Sequence, residues 1–461
     1  MKRAHDDIAA VVLAAGMGKR MHSDLAKVLH PMAGRPLLAH VLATARVLEP
    51  AAIHVVYGHG GDAVKAAFAS QPDLHWTLQS QQLGTGHAVM QALPSIPDDH
   101  QVLVLLGDVP LVSPRTLQRL VADSAEGELA LLTAVVDEPT GYGRVIRDEH
   151  GVVARIVEEK DATDDERRVN EVNTGLMSCA AGALRRFLAR LDNDNAQGEY
   201  YLTDVIALAV AAGKEVKGIV IDSQIEVLGI NDRAQLAVAE RTLQRRIAAE
   251  LMRRGVTFAD PERVDVRGEL SVGRDVFIDV GAVFEGKVEL GDRVRIGPYA
   301  VIEDSKLGAG TVVHAHSVVS GVEAGPDCGI GPFARLRPGT RLARHVKVGN
   351  FVEVKKATIA EGSKVNHLTY LGDAEIGRDV NVGAGTITCN YDGANKHKTT
   401  IGDRVFIGSG VMLVAPVSVG ADATIGAGST ITKEAPAGEL TLERSKQVTV
   451  PGWERPKKKP K

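Results

Sequence analysis

The sequence predicts an α/β layered domain followed by an all-β solenoid, with a long helix joining them. Three observations carry this expectation. Short aliphatic runs alternate with amphipathic stretches over the first 230 residues, apolar residues at threes and fours fill 231–255, and beyond them apolar positions recur every six residues. A chain of 461 residues is too long for one core. The expected divisions are 1–230, 231–255 and 256–461.

In the first division, IAAVVLAAG (8–16), AAIHVVYGHG (51–60), QVLVLLGDVP (101–110) and LALLTAVVD (129–137) are aliphatic runs. Such runs between helix-like segments read as strands of a mostly parallel sheet. Ligands of these sheets sit at the carboxyl ends of strands. Two runs end in sequences suited to that place: Ala14-Ala15-Gly16-Met17-Gly18-Lys19-Arg20 after the first and Gly107-Asp108 after the third.

In the second division, Leu236, Ala239, Leu243, Ile247 and Leu251 form one apolar stripe with charges between them, the pattern of an amphipathic helix. Asn231 or Asp232 suits its start and Gly255 its end.

In the third, Ile401, Ile407, Leu413, Val419, Ile425 and Ile431 are six apart. So are Ile330, Leu336, Leu342, Val348 and Val354, and Leu290, Ile296 and Ile302. Neither helix nor plain strand has this period. A hexapeptide repeat predicts a β-solenoid, with each aliphatic residue in a thin interior and glycines at the corners. A Gly-rich sandwich would instead show period two. Aromatics, only 4% of the chain, have no room in such an interior. The phase slips between 302 and 307, and again near 389–400, where CNYDGANKHKTT predicts an inserted loop.

Composition narrows the function. With 54 Lys and Arg against 58 Asp and Glu, no overall positive field favours nucleic acid, so small-molecule substrates are expected. Cys179, Cys328 and Cys389 are widely spaced with no CxxC, which fits a reducing cytoplasm and neither a disulfide framework nor a thiolate metal site. The N-terminal apolar run is short and preceded by Asp6 and Asp7, unlike a signal peptide. No stretch reaches the roughly 18 apolar residues of a membrane span.

The loop after the first run has backbone N–H groups and cations, Arg20 and Lys27, suited to phosphate. It is neither a Walker A nor a GxGxxG motif. A close-packed turn with solvated cations is the alternative reading. Further motifs extend the pattern: Gln82-Leu-Gly-Thr-Gly-His87, Gly107-Asp-Val-Pro-Leu111 and Gly141-Tyr-Gly-Arg144. Together these resemble the sugar-nucleotide pyrophosphorylases. With the hexapeptide half, the chain from about residue 8 to its basic tail resembles the bacterial bifunctional N-acetylglucosamine-1-phosphate uridylyltransferase/glucosamine-1-phosphate N-acetyltransferase family.

That resemblance implies an α/β Rossmann-like nucleotidyltransferase domain and a left-handed parallel β-helix acetyltransferase domain, associating as a homotrimer. It implies UTP and acetyl-CoA as co-substrates and Mg²⁺ for uridylyl transfer, a reaction that needs alignment and charge neutralisation rather than a covalent intermediate. By position, Asp108 and Asn231 match the metal ligands, hard oxygen donors suited to a cation that bridges phosphates. Arg20 and Lys27 match catalytic phosphate-contacting cations. Leu13, Ala14, Ala15, Gly16, Gln79, Gly84, Thr85, Leu106 and Gly107 match the nucleotide side, where a Gln amide offers a pyrimidine both donor and acceptor. Gly143, Glu158, Asn173 and Thr174 match the sugar side. Asp108 also reads as a turn-initiating Asp, Asn231 as a helix cap, and Glu158 as part of a solvated charged run. Lys19, Ala26 and Leu106 depart from the residues usual in the family, which are Thr, Pro and Tyr.

In the second half the implied reaction is acetyl transfer to glucosamine 1-phosphate. An ammonium cannot attack a thioester, so a base is required, and His367 matches it. Arg337, Lys355, Tyr370 and Asn381 match the amino-sugar-phosphate site. Ala384, Asn390, Tyr391, Ser409, Ala427 and Arg444 match acetyl-CoA contacts, with small residues leaving room for an extended arm. Around Arg444 the sequence differs from the family's usual one. The tail PKKKPK reads as a solubilising end in preference to an aid to anionic CoA. Two other readings are a pyrophosphorylase with an architectural solenoid and a non-catalytic scaffold. The His367, Tyr370, Asn381, Asn390 and Tyr391 group argues against the first, and Arg20, Lys27 and Asp108 argue against the second.

Overall fold

The computed structural model describes residues 7–16, 18–58, 61–127 and 129–458. Met17 and the last three residues of the basic tail lie outside the described residues, as do the side chains of Lys19 and residues 125–127. The chain divides into two compact units, Met1–Leu243 and Gln244–Lys461.

The four aliphatic runs become strands of one sheet. In the first unit β1 is Ile8–Leu13, β2 Ala52–Gly58, β3 Leu74–Gln79, β4 Gln101–Leu106, β5 Leu129–Val135, β6 Glu171–Ala180 and β7 Val216–Val220. Their order is β7-β5-β6-β4-β1-β2-β3. All neighbours are parallel except β6, which runs antiparallel to both β4 and β5. A hairpin of Arg144–Arg147 and Val153–Val157 extends the sheet beside β6. Both faces are covered, which is why β1 is apolar throughout: Ile8, Ala10 and Val12 pack on one side with Leu103 and Leu105, while Ala9 and Val11 pack on the other with Val102 and Val104.

β1 and β4 are adjacent and in register to their ends, Leu13 opposite Leu106. The Gly107 N–H then donates to the Leu13 carbonyl at 2.9 Å. The loop at 14–16 and the Gly107-Asp108 turn therefore emerge side by side.

The helix expected over 231–255 runs Arg233–Arg253. Asp232, rather than Asn231, supplies the N-terminal cap, accepting from Gln235 N at 2.8 Å. Leu236, Ala239 and Leu243 pack with Met32, Leu37 and Ile230 of the first unit. Ile247 and Leu251 pack on the core of the second, where the Gln244 amide bonds both backbone groups of Val266 at 2.9 Å.

The second unit is a parallel β-helix. The ladder Ile278, Ile296, Val313, Ile330, Val348, Val365, Val382, Ile407 and Ile425 pairs rung to rung. Three six-residue steps make one coil, and where a coil drops a residue the hexapeptide phase slips, as it does after Ile302, which pairs with Val319. The long step from Val382 to Ile407 holds the predicted loop near 389–400. One face forms an 11-stranded sheet and a 17-stranded sheet winds over the rest. The six-spaced residues are all buried, most completely. No helix among the described residues is long and apolar enough to cross a membrane.

Candidate active sites

In the first unit the carboxyl ends of β1, β3 and β4 border a cleft of about 940 Å³, lined by Leu13, Ala14, Ala15, Gly16, Lys27, Gln79, Gly84, Thr85, Leu106 and Asp108. Val28, Gln82, Ala88 and Glu199 complete the lining. Gln82, the first residue of the 82–87 motif, is a lining residue that the motif alone does not mark; its amide donates to the Ala15 carbonyl and ties the 82–87 segment to the loop. Arg20 stands exposed on the short turn Lys19–Met21, outside this lining.

Gly84 begins the helix Thr85–Ala92 at φ +105°, and a Cβ there would sit 2.7 Å from the Tyr200 carbonyl. Only glycine fits. The Thr85 hydroxyl accepts from Leu202 N at 3.1 Å. Gln79 is buried, and its amide nitrogen is already engaged by Gly84 O at 3.0 Å and His87 Nδ1 at 3.1 Å. A pyrimidine would therefore meet chiefly its carbonyl oxygen.

At the floor, Lys27 pairs with the Asp108 carboxylate, and its Nζ lies 3.1 Å from Asn231 Oδ1. The backbone fixes this meeting, because Ile230 N donates to Asp108 O at 2.9 Å. Residues 81 and 204 positions apart in sequence thus converge as two hard oxygens around one cation. Such a donor set fits Mg²⁺. Among the described residues no group of three or more His, Cys, Asp or Glu forms a metal cage.

An adjoining pocket of about 530 Å³ shares Leu13, Thr85 and Leu106 with the cleft and continues to Glu158, Asn173, Gly175 and Thr203. The Gly143 carbonyl accepts from Asn173 N at 2.8 Å, and a Cβ at Gly143 would lie 3.4 Å from the Glu158 carboxylate. Thr174 turns away, its hydroxyl donating to Leu132 O at 2.8 Å. Burial pushes Glu158 up, opposed by a hydrogen bond from Thr203 and reinforced by Asp161 and Glu199. Asp204 is pushed to about 6 by burial and then by Asp192, Glu158 and Asp161. Thr203 and Asp204 carry no sequence motif that would have singled them out.

On the β-helix three of the residues matched to the acyl donor, Ala384, Ser409 and Ala427, form one column with Asn350 and His367. Leu368 N donates to Asn350 O at 3.1 Å, Gly385 N to His367 O at 3.4 Å, Gly410 N to Ala384 O at 2.7 Å and Gly428 N to Ser409 O at 2.8 Å. Asn350, His367, Ala384, Ser409 and Ala427 therefore occupy the same place in successive coils. Arg444 reaches the top of this column, its Cδ 3.9 Å from where a Cβ on Gly428 would be. Asn350 Oδ1 lies 3.0 Å from His367 Nδ1. The partnership of Asn350 with His367 is a cross-coil relation that the linear sequence does not display.

Around the next corner, a Cβ at Gly372 would collide with the Tyr370 hydroxyl and the Asn390 amide, so these two side chains meet over that glycine. Arg337 bonds Glu353 at 2.9 Å. Lys396, from the inserted loop, and then Arg337 hold Lys355 below the ordinary ammonium range. Three cations thus gather on one face; Lys396 lies in the inserted loop predicted near 389–400 but was not singled out within it. Asn381 stands on the 11-stranded face, in register between Lys364 and Phe406. Tyr391 is exposed beneath the Lys396 ammonium, 5.7 Å from its ring centre. Asp392 closes the loop, accepting from Asn395 N at 2.6 Å, Ala394 N at 2.8 Å and His397 Nε2 at 2.7 Å.

Comparison with known proteins agrees with both halves. Residues 10–203 match the MobA-like NTP transferase domain, and residues 270–304 and 398–433 match the bacterial transferase hexapeptide (six repeats). The chain is 62% identical over 453 residues to the bifunctional protein GlmU of Alkalilimnicola ehrlichii, covering 98% of this chain and 97% of that one. It is 59% identical to the protein of that name in Aromatoleum aromaticum, over 97% and 98% of the two chains, and 56% identical to that in Marinobacter nauticus, with the same coverage.

Proposed function

This chain belongs to the bifunctional GlmU family, and from that premise we propose how its two sites share the making of UDP-N-acetylglucosamine. It is an enzyme of two transfers: acetyl from acetyl-CoA to glucosamine 1-phosphate, then uridylyl from UTP to the N-acetylglucosamine 1-phosphate so formed. The observation that carries the assignment of sites is the convergence of Lys27, Asp108 and Asn231 in one unit and the column through His367 in the other.

In the uridylyl site, the loop at 14–16 and Lys27 receive the phosphates of UTP, with Arg20 reaching in from the exposed turn. Gln79, Gly84 and Thr85 hold the base and ribose, and Gly143, Glu158 and Asn173 hold the sugar hydroxyls. Asp108 and Asn231 hold Mg²⁺, which when bound offsets the crowded negative charge of the polyphosphate. An oxygen of the sugar phosphate attacks the α-phosphorus, and the bond to pyrophosphate breaks. The residues catalyse by alignment and charge.

In the acetyl site, Asn350 accepts a hydrogen bond from Nδ1–H of His367, which leaves Nε2 unprotonated to take a proton from the substrate amine. The amine attacks the thioester carbonyl, and the CoA sulfur leaves with a proton returned from the imidazolium. Arg337, Lys355 and Lys396 answer the 1-phosphate, and Tyr370 and Asn381 position the sugar. The acetyl-CoA arm lies along Ala384, Ser409 and Ala427, with Asn390 and Tyr391 beside it and Arg444 at a CoA phosphate.

The family's homotrimer and a cytoplasmic location belong to the same proposal. An exposed stack of Tyr299, His316, Phe333 and Phe351, with ring centres 4.9–5.4 Å apart, is the kind of apolar surface that copies of a chain cover. None of Cys179, Cys328 and Cys389 is in a disulfide.

One assay tests the whole. With acetyl-CoA, glucosamine 1-phosphate, UTP and Mg²⁺, both free thiol and pyrophosphate are released. Pyrophosphate from added N-acetylglucosamine 1-phosphate without any thiol would make the solenoid architectural, and neither product would make the chain a scaffold.

A further inference from the structure

The two oxygens that suit a divalent cation are already shared by an ammonium. Lys27 pairs with Asp108 and reaches Asn231 Oδ1 at 3.1 Å, with the Lys27 and Asp108 side chains only 12% and 17% exposed. Its stem is held under the glycine loop: a Cβ at Gly18, which sits at φ +60°, would lie 2.6 Å from Lys27 Cβ. The head group is therefore anchored at one end between the carboxylate and the loop assigned to phosphates.

An ammonium and a divalent metal cannot use the same pair of oxygens at once. One carboxylate and one amide are also a poor cage, since Mg²⁺ dehydrates reluctantly and is usually completed by substrate phosphates. Both facts point the same way. We propose that Lys27 is a resident counter-cation that keeps divalent metal off Asp108 and Asn231 until a nucleotide triphosphate draws the ammonium onto its own oxygens, so that metal and nucleotide enter as one unit. This rests on the reading of the cleft as a nucleotide site, and it assigns Lys27 a role in the free enzyme that is separate from its contact with phosphate.

The test is Mn²⁺ binding to the full chain without nucleotide, followed by the electron paramagnetic resonance signal of free Mn²⁺. The wild type should hold Mn²⁺ at least tenfold more weakly than Lys27→Met, which removes the ammonium and keeps the stem. Adding Asp108→Asn to that variant should return Mn²⁺ binding to the wild-type level. Equal binding by wild type and Lys27→Met overturns the proposal, as does tight binding that survives Asp108→Asn. A circular-dichroism melt of the same preparations, compared with the wild type, reports that the first unit is folded. A separate titration of the wild type with UTP and Mn²⁺ together distinguishes the two levels: no nucleotide binding there defeats the reading of the cleft, whereas nucleotide binding with no gain in Lys27→Met defeats only the counter-cation.

Discussion

Asn350 and His367 sit in register on neighbouring coils, with Asn350 Oδ1 3.0 Å from His367 Nδ1. The pair fixes which ring nitrogen carries the proton, since an amide oxygen can only accept. Replacing Asn350 with Ala should lower kcat for acetyl transfer by about 10- to 100-fold, by analogy with the loss of partners that orient metal-bound histidines. Asn350→Asp should recover much of the rate and move the acidic limb of the pH profile upward, because a carboxylate stabilises the imidazolium. Uridylyl transfer is the internal control and should not change.

On the proposed assignment the two units carry separate chemistry. Asp108→Ala should abolish pyrophosphate release and leave CoA release intact, and His367→Ala should do the converse. Loss of both activities in a folded protein would refute separate sites, and near-normal acetyl transfer in His367→Ala would remove the base.

Gly84→Ala forces a side chain into the Tyr200 carbonyl at a backbone angle of +105°. The strain is worth about 1–3 kcal/mol. The expected outcome is a lower melting temperature of the first unit and a raised KM for UTP, with KM for acetyl-CoA unchanged.

His54 on β2 is buried, and its ring stacks on that of His75 on β3 with centroids 5.1 Å apart. Burial first, and then the neighbouring His75, lower its pKa to about 4. Above pH 6.5 His54 is neutral in both folded and unfolded chains, so it gives no pH dependence there. Between 6.5 and 4 the unfolded chain takes up a proton that the folded chain refuses, so stability falls as pH falls, by about 2 kcal/mol at pH 5. Urea denaturation of the wild type and His54→Leu at pH 7 and pH 5 measures this: the loss on acidification should shrink by about that amount in the variant.

The solenoid was legible because its interior leaves little choice: Ile330, Leu336 and Leu342 must be aliphatic at a fixed step, and the phase slips mark where a coil loses a residue or takes an insertion. The cleft was legible for a different reason, since Ala14–Gly16 and Gly107-Asp108 directly follow strands whose ends the sheet brings together. What escaped depends on distant pairings. Lys396 joins Lys355 only because the inserted loop folds back over the coil, and Glu199 and Thr203 reach the cleft only because the 199–202 segment packs on Gly84 and Gly86. Arg20 shows the reverse case: proximity in sequence to the loop did not place it in the lining. The antiparallel β6 was also unannounced, for its residues alternate like those of any strand, and its direction is set by the turns at its ends.

The wall above His367 acts as a ruler. Adjacent strands lie about 4.8 Å apart, so the three coil steps from His367 to Ala427 span about 14 Å. On the proposed assignment, the base and the distal arginine are therefore spaced by a count of windings. Removing one complete winding between them would shorten that gauge by a single notch without disturbing the chemistry at either end, and the length of thioester carrier that the enzyme accepts should follow the notch.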